Sequence, residues 1–172
     1  MTALRRSQTI AVAGIILLLV LQSACGFRLR GEVELPPVLE TTYIQSTQPY
    51  TGMARALRDE LGVAGATVVE SADDATAVLR VIRETSENRI LSVGSTGKAS
   101  EYELFNEVVF SLNDAEGKVL IAPQSLRMTR DLVFDETELL GKISEAEGIH
   151  KQMHRNLARQ IIIRIGAGLR QQ

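Results

Sequence analysis

The apolar and polar positions alternate most regularly in the middle of this chain. From Glu101 to Leu112 every second residue is apolar, with Asn106 as the one polar interruption. Strict alternation over this length is typical of a strand with one buried face and one face in water. The same period predicts one long strand, or two joined strands, over Ala77–Val93. It also predicts a strand over residues 119–134 that is interrupted by Pro123, and two short strands over residues 42–45 and 66–69.

Two other segments have the longer period of a helix. In the first, Ala54, Leu57 and Leu61 share one face, and Gly62 is expected to end the helix. In the second, Ser144 to Glu147 has the pattern of a capping box, which predicts the start of a helix. Apolar residues then recur every four positions, at Ile149, Met153, Leu157, Ile161 and Ile165. Gly166 and Gly168 are expected to end the helix.

The order strand, helix, strands in hairpins, long helix is typical of an α+β domain. We therefore predict a mostly antiparallel sheet with helices packed on one face. No internal repeat or low-complexity segment divides the chain further.

The first residues have the composition of a secretory signal. Arg5 and Arg6 precede the uncharged run Ile10–Leu21, which is shorter than the roughly 20 apolar residues of a membrane span. Small residues follow and lead directly to Cys25, the only cysteine. This arrangement resembles a bacterial lipobox, although Gln22 occupies a position that is usually leucine. The alternative is an ordinary signal-peptidase site beside an incidental cysteine.

We therefore predict a signal peptide over residues 1–24 and a single mature domain over residues 25–172. Cleavage would leave Cys25 as the first mature residue, with acyl chains (palmitate among them) on its sulfur and its amine. Several acyl chains hold a protein to a bilayer where one barely does. An aspartate directly after the cysteine often retains a lipoprotein in the inner membrane. This position is Gly26 here, which favours the outer membrane. Residues 25–40, which contain Pro36 and Pro37, are expected to form an extended leader.

Composition and motifs exclude several classes of function. The 19 basic and 21 acidic residues give no charge excess for nucleic acid, and no cofactor motif is present. Gly94 to Lys98 is too short for a phosphate loop and is expected to be a hairpin turn. No nucleophile motif is found, so we predict that the chain is not an enzyme. A lipid-anchored hydrolase would need a serine placed near a histidine.

The two histidines have helical spacing, which is also the spacing of a zinc pair. His150 and His154 would share one face, but Lys151 stands where the metalloprotease motif requires glutamate. With no third ligand in view, we predict surface histidines and no metal site.

Basic residues around the predicted sheet are candidates for binding phosphate. Arg and Lys form short, charge-assisted hydrogen bonds to phosphate oxygens. The alternative for each of them is a solvated surface position. The residues are Arg89, Lys98, Arg127, Arg130 and Lys142.

The segment CGFRLRG, residues 25–31, resembles the mature N-terminus of the LptE family of outer-membrane lipoproteins. Further similarity lies in the helix at Arg55–Leu61, the turn from Gly97 to Tyr102, the pair Phe134-Asp135 and the late isoleucine-rich helix. The resemblance implies two helices packed on a four-stranded sheet, that is, a two-layer sandwich.

The resemblance also implies a function and partners. LptE proteins plug the β-barrel protein LptD in a 1:1 complex, support its assembly and bind lipopolysaccharide (LPS) during its insertion into the outer leaflet. The chain would be lipid-anchored at the outer membrane, on the periplasmic side and in the barrel lumen. Lys98 and Lys142 are the first candidates for LPS binding, followed by Arg127 and Arg130. The alternative is a lipid-anchored periplasmic protein that binds a small ligand in an apolar pocket.

Overall fold

The computed structural model describes residues 35–94, 97–133 and 139–171, with the side chains of residues 139 and 140 left aside. The predicted signal peptide, the Cys25 attachment site and most of the leader lie outside these ranges. Within them, no helix is both long and apolar enough to cross a membrane. The elements are β1 (Thr41–Gln45), α1 (Gly52–Val63), β2 (Thr67–Val69), β3 (Ala77–Val93), β4 (Ala99–Asp114), β5 (Val119–Val133) and α2 (Leu139–Leu169).

The five strands form one mixed sheet in the order β2-β1-β3-β4-β5. β1 pairs in parallel with both β2 and β3, whereas β3, β4 and β5 form antiparallel hairpins. The α+β class is confirmed, but the expectation of four mostly antiparallel strands is wrong in detail. The chain returns through α1 after β1, and a helical crossover brings the next strand in parallel to the first. The segment Thr67–Val69 thereby becomes a fifth strand at the edge.

Apolar residues of both helices pack on one face of the sheet. Leu57 of α1 and Ile161 of α2 meet Phe110 of β4 in a single cluster, and each side chain is completely buried. Burial of a side chain of this size contributes about 1.5–3 kcal/mol. Leu39, at the end of the predicted leader, lies in the same cluster and belongs to a short 3-10 helix, Pro37–Leu39.

A register shift in β3 reverses which residues face the helices. The shift lies between Val81 and Arg83, and the side chain of Ile82 is 52% exposed. Before the shift, Leu79 and Val81 point into the core; after it, Glu84, Ser86 and Asn88 face α2. One extra residue in a strand exchanges its two faces, because side chains alternate with a period of two.

β5 continues through Pro123, contrary to the predicted interruption. The β4–β5 pairing slips by one residue, so that Ser111 stands opposite the segment containing Pro123. Proline lacks the backbone N–H of a regular ladder and is tolerated at bulges and on edge strands. β5 is an edge strand.

α2 is longer at both ends than the pattern predicts. It begins at Leu139, so Ser144 lies inside the helix and the predicted capping box is wrong. Gly166 and Gly168 also lie inside it. A Cβ atom at Gly168 would lie 2.8 Å from Ile121 Cδ1, and one at Gly166 would lie 3.3 Å from Pro36 Cγ. These glycines therefore allow close packing of the helix rather than ending it.

Candidate functional site

The two predicted arginines of β5 lie on opposite faces of the sheet. Arg130 shares the helix-facing side with Leu132, which is buried under α2, while Arg127 stands opposite Glu107 on the outer face. Residues three apart on a strand alternate in this way. Both arginines are exposed, and within the described ranges neither forms an ion pair. They do not converge on one site.

Lys98 and Lys142 lie toward the same end of the sheet, which we call the distal end. Lys98 ends the turn between β3 and β4, where Gly94 N–H donates to the Lys98 carbonyl oxygen at 2.7 Å. The predicted hairpin turn is confirmed in its described residues. Lys142 lies one turn before Ala146, which packs on Leu104 of β4, and its Nζ pairs with Glu145 Oε2 at 2.9 Å. The two cations thus belong to the hairpin tip and the start of α2.

Large apolar side chains are exposed at the same end, which the sequence analysis missed. They come from the last residues of β3 and β5 and from the first turns of α2. Exposed apolar side chains beside cations are typical of a surface that contacts protein or lipid. They are Ile90, Leu91, Val93, Val133 and Ile143, each 48–65% exposed.

Arg89 lies on the outer face and is held by neighbours. Its guanidinium carbon lies 3.7 Å from the centre of the Phe105 ring, and it pairs with Glu87 at 3.0 Å and Glu103 at 3.6 Å. Cation–π contact and two carboxylates account for its position. Arg89 is therefore a structural cation, with less freedom to bind phosphate than an unpaired one.

A group of polar side chains lies between α2 and the distal half of the sheet. Asn106, which is 1% exposed, accepts from His150 Nδ1 at 2.5 Å and donates to the His150 carbonyl oxygen at 3.3 Å. His150 Nε2 lies 2.8 Å from Asn88 Oδ1. We call this group the polar seam; it comprises Glu84, Ser86, Asn88, Asn106, His150 and His154.

The electrostatics of the polar seam favour a neutral His150. Burial lowers the pKa of His150, and the nearby His154 lowers it further. A neutral imidazole has one donor and one acceptor nitrogen. Both ring nitrogens face amide oxygens, so in the neutral ring Nδ1 donates to Asn106 Oδ1 and Nε2 has no proton to donate to Asn88 Oδ1.

His154 joins both helices to β3 through Glu84. Its Nε2 lies 3.2 Å from Glu84 Oε1, and the same oxygen accepts from the backbone N–H of Met53 at 3.0 Å, at the start of α1. The His154 side chain is 12% exposed. The prediction of surface histidines is therefore wrong, because the shift at Ile82 turns polar residues of β3 toward the helix.

The polar seam has the chemistry of a structural contact rather than of a metal or catalytic site. No group of potential metal ligands occurs among the described residues. Ser86 Oγ lies 3.2 Å from His154 Nε2, which is the proximity that a hydrolase would need. However, Glu84 contacts the same nitrogen, whereas a catalytic triad places the carboxylate on the opposite nitrogen of the ring.

A cleft of about 410 Å³ lies between the start of α1 and the middle of α2. Charged and polar side chains, among them Arg55, Asp59 and Arg155, form much of its wall. A small-ligand lipoprotein would need a predominantly apolar pocket. This cleft gives that alternative little support.

The sequence profile of the family described as LptE, Lipopolysaccharide-assembly, matches residues 39–165, most of the described fold. The chain belongs to this family. The predicted resemblance to this family is thereby confirmed. The family assembles lipopolysaccharide and is non-enzymatic, which confirms the prediction that the chain is not an enzyme.

Relatives and solved structures agree with this membership. The LPS-assembly lipoprotein LptE of Photorhabdus laumondii is 30% identical over 146 residues, covering 85% of this chain and 79% of the relative. An uncharacterized lipoprotein B from Nitrosomonas europaea has a similar solution structure, with 32% identity, a TM-score of 0.67, and coverage of 85% and 96% of the two chains. The rare lipoprotein B of Shewanella oneidensis is 28% identical with a TM-score of 0.62, covering 74% and 94%.

Proposed function

We propose that this chain acts in lipopolysaccharide assembly as an outer-membrane lipoprotein, anchored through Cys25, that plugs the LptD barrel and binds LPS. Relatives that cover most of the chain carry the name LPS-assembly lipoprotein. The observation that carries the LPS-binding part is the distal end, where Lys98 and Lys142 accompany exposed apolar side chains.

This combination suits a phosphorylated lipid. LPS carries phosphates on its glucosamine headgroup and packs as a sheet bridged by cations. Lysines that replace the bridging divalent cations would separate single LPS molecules from this sheet. The charge-assisted hydrogen bond from each lysine compensates the charge of a phosphate. The apolar side chains beside the lysines, Ile90 and Val93 among them, would contact acyl chains or the barrel wall.

Arg127 and Arg130 remain candidates of lesser weight in this proposal. They point to opposite faces of β5, so one LPS headgroup would reach only one of them. Arg130 is opposite Leu104, at the distal end, and is the better placed of the two.

Charge reversal tests the binding surface. Lys98→Glu together with Lys142→Glu is expected to weaken LPS binding about tenfold or more at fixed salt, since hydrogen bonds to charged groups contribute about 1.5–3 kcal/mol each. The matched control is Lys118→Glu with Arg164→Glu, two exposed cations outside the distal end. Equal LPS affinity for both double variants would contradict the proposal.

The partner is tested separately by affinity purification. The chain, tagged at its C-terminus, is recovered from detergent-solubilised outer membrane. A large heat-modifiable β-barrel protein in equal ratio is the expected result. Recovery of the intact lipidated chain alone would contradict the plug and favour a small-ligand lipoprotein.

A further inference from the structure

The cleft between the two helices lies apart from the distal end. The residues before and within the first turn of α1 form one wall, with Tyr50, Thr51 and Arg55, and the middle of α2 forms the other, with Lys151 and Arg155. Its volume of about 410 Å³ suits a small molecule or a single headgroup rather than a folded partner.

Three cations and one acid line this cleft. Asp59 is the only carboxylate in its wall, against Arg55, Lys151 and Arg155. Like charges brought together across two helices repel each other unless something compensates them. Within the described ranges none of the three cations forms an ion pair, and Arg155 donates to the neutral Gln152 Oε1 at 2.5 Å.

The other cations of the same helices are mostly compensated. Arg58 pairs with Glu70 at 3.0 Å, Arg159 with Glu60 at 3.2 Å, and Lys142 with Glu145 at 2.9 Å. Among the described residues of α1 and α2, the cations without an ion pair are therefore concentrated at this cleft, with Arg164 the exception. A merely solvated surface would not require this distribution.

The backbone at the start of α1 is already compensated by a carboxylate. The side chain of Thr51, the N-cap of α1, makes no capping hydrogen bond. Glu84 reaches the Met53 N–H from the sheet side. The Glu84 carboxylate therefore offsets the partial positive charge of this helix N-terminus, and the positive field of the cleft comes from the three side-chain cations.

We infer that this cleft binds a phosphate group, either free in solution or carried on a lipid headgroup. The two guanidinium forks of Arg55 and Arg155 match the oxygens of a phosphate, and Lys151 supplies a third charge. The ring of Tyr50, 64% exposed, forms a flat wall for the rest of the ligand. This inference does not depend on LPS binding at Lys98 and Lys142.

The test is a titration of the full-length lipidated chain in neutral detergent, followed by the amide NMR signals of Thr51, Gly52 and Lys151. Sodium pyrophosphate at constant ionic strength is the first probe. We expect saturable shifts confined to the cleft. Phosphatidic acid in the micelles is the second probe: competition with pyrophosphate identifies the headgroup as a source, and its absence identifies the free anion.

Matched variants make the result decisive. Arg55→Gln with Lys151→Gln is expected to weaken pyrophosphate binding at least tenfold, whereas the control Lys118→Gln with Arg164→Gln leaves it within twofold. All four positions are exposed, so the fold should survive, and thermal unfolding of the same samples checks this. If the first variant unfolds, Arg155→Gln replaces it. Absence of saturation, or unchanged affinity in the cleft variant, would overturn the inference.

Discussion

The distal half of the helix–sheet layer and the opposite half, which we call proximal, are stabilised by different contacts. In the proximal half, α1 and α2 meet the sheet through fully buried apolar side chains such as Leu57, Ile161 and Phe110. In the distal half, α2 covers the sheet through the polar seam, in which Glu84 also accepts from α1, and through a small apolar cluster that includes Leu104 and Met153. One helix of 31 residues thus has two kinds of contact.

The two kinds of contact have different effects, one mainly on the stability of the fold and the other on the position of α2 over the sheet. Apolar burial is non-directional and supplies most of the folding free energy. Hydrogen bonds contribute less net energy, but unpaired buried polar groups are costly, so the polar seam fixes where α2 lies over the sheet. The half that is fixed by hydrogen bonds is also the half that carries Lys98 and Lys142.

The largest expected effect is in the proximal half. Ile161→Ala would remove a fully buried side chain and is expected to lower the free energy of unfolding by about 2–5 kcal/mol, measured by urea denaturation. Ile163→Ala, two residues away and 53% exposed, is the control and should change it by less than about 0.5 kcal/mol. Similar losses in both variants would remove the distinction between core and surface on this helix.

A smaller effect is expected from the polar seam. Asn106→Ala would leave His150 without its partner on β4 and should cost about 1–3 kcal/mol. Hydrogen exchange should become faster at amides of α2 near His150, while those near Ile161 keep their protection. The control is Asn156→Ala, which alters a contact within α2 only. Uniformly faster exchange along α2 would show that the two halves open together.

The smallest effect is a dependence on pH. The folded pKa of His150 lies below the ordinary 6.5, so the unfolded chain binds the proton first as the pH falls. The His150 contribution is therefore complete above pH 6.5 and is lost below it, with a slope of at most about 1.4 kcal/mol per pH unit. The groups that face this ring are Asn106 of β4, Asn88 of β3 and His154 of α2, behind which lies Glu84.

The corresponding variant is His150→Gln, with urea denaturation repeated at several pH values. It should flatten the acid side of the stability profile. His154→Gln should leave a weaker dependence than the wild type, since it removes the neighbour that lowers the His150 pKa but retains the burial. An unchanged profile in His150→Gln would show that other groups control the acid response.

Local patterns predicted most elements but not their mutual arrangement. Alternation placed the strand at Glu101–Leu112 within β4, and the four-residue recurrence placed the core stripe of α2. The parallel strand β2 depends on where α1 returns the chain, which no local pattern encodes. The role of Gly168 depends on the approach of Ile121, a residue 47 positions earlier by sequence number.

The candidate site was predicted only in part, again because local patterns do not determine which residues meet in the fold. Basic residues could be named from the sequence, and the spacing of Arg127 and Arg130 already implies opposite faces. The polar seam could not be found, because the register shift at Ile82 decides that Glu84 faces α2. Asn106, as the one polar residue on an apolar strand face, was its only visible signal.

The contact of Pro36 with Gly166 joins the first and last parts of the described chain. Leu39 likewise enters a core that α2 completes. α2 is the last element of the described fold, so Leu79 and Phe110 are fully covered only once α2 packs on the sheet. Contacts between residues far apart in sequence slow folding, because a long loop must close first. Loss of the final turns of α2 would therefore leave an aggregation-prone intermediate rather than a shortened domain.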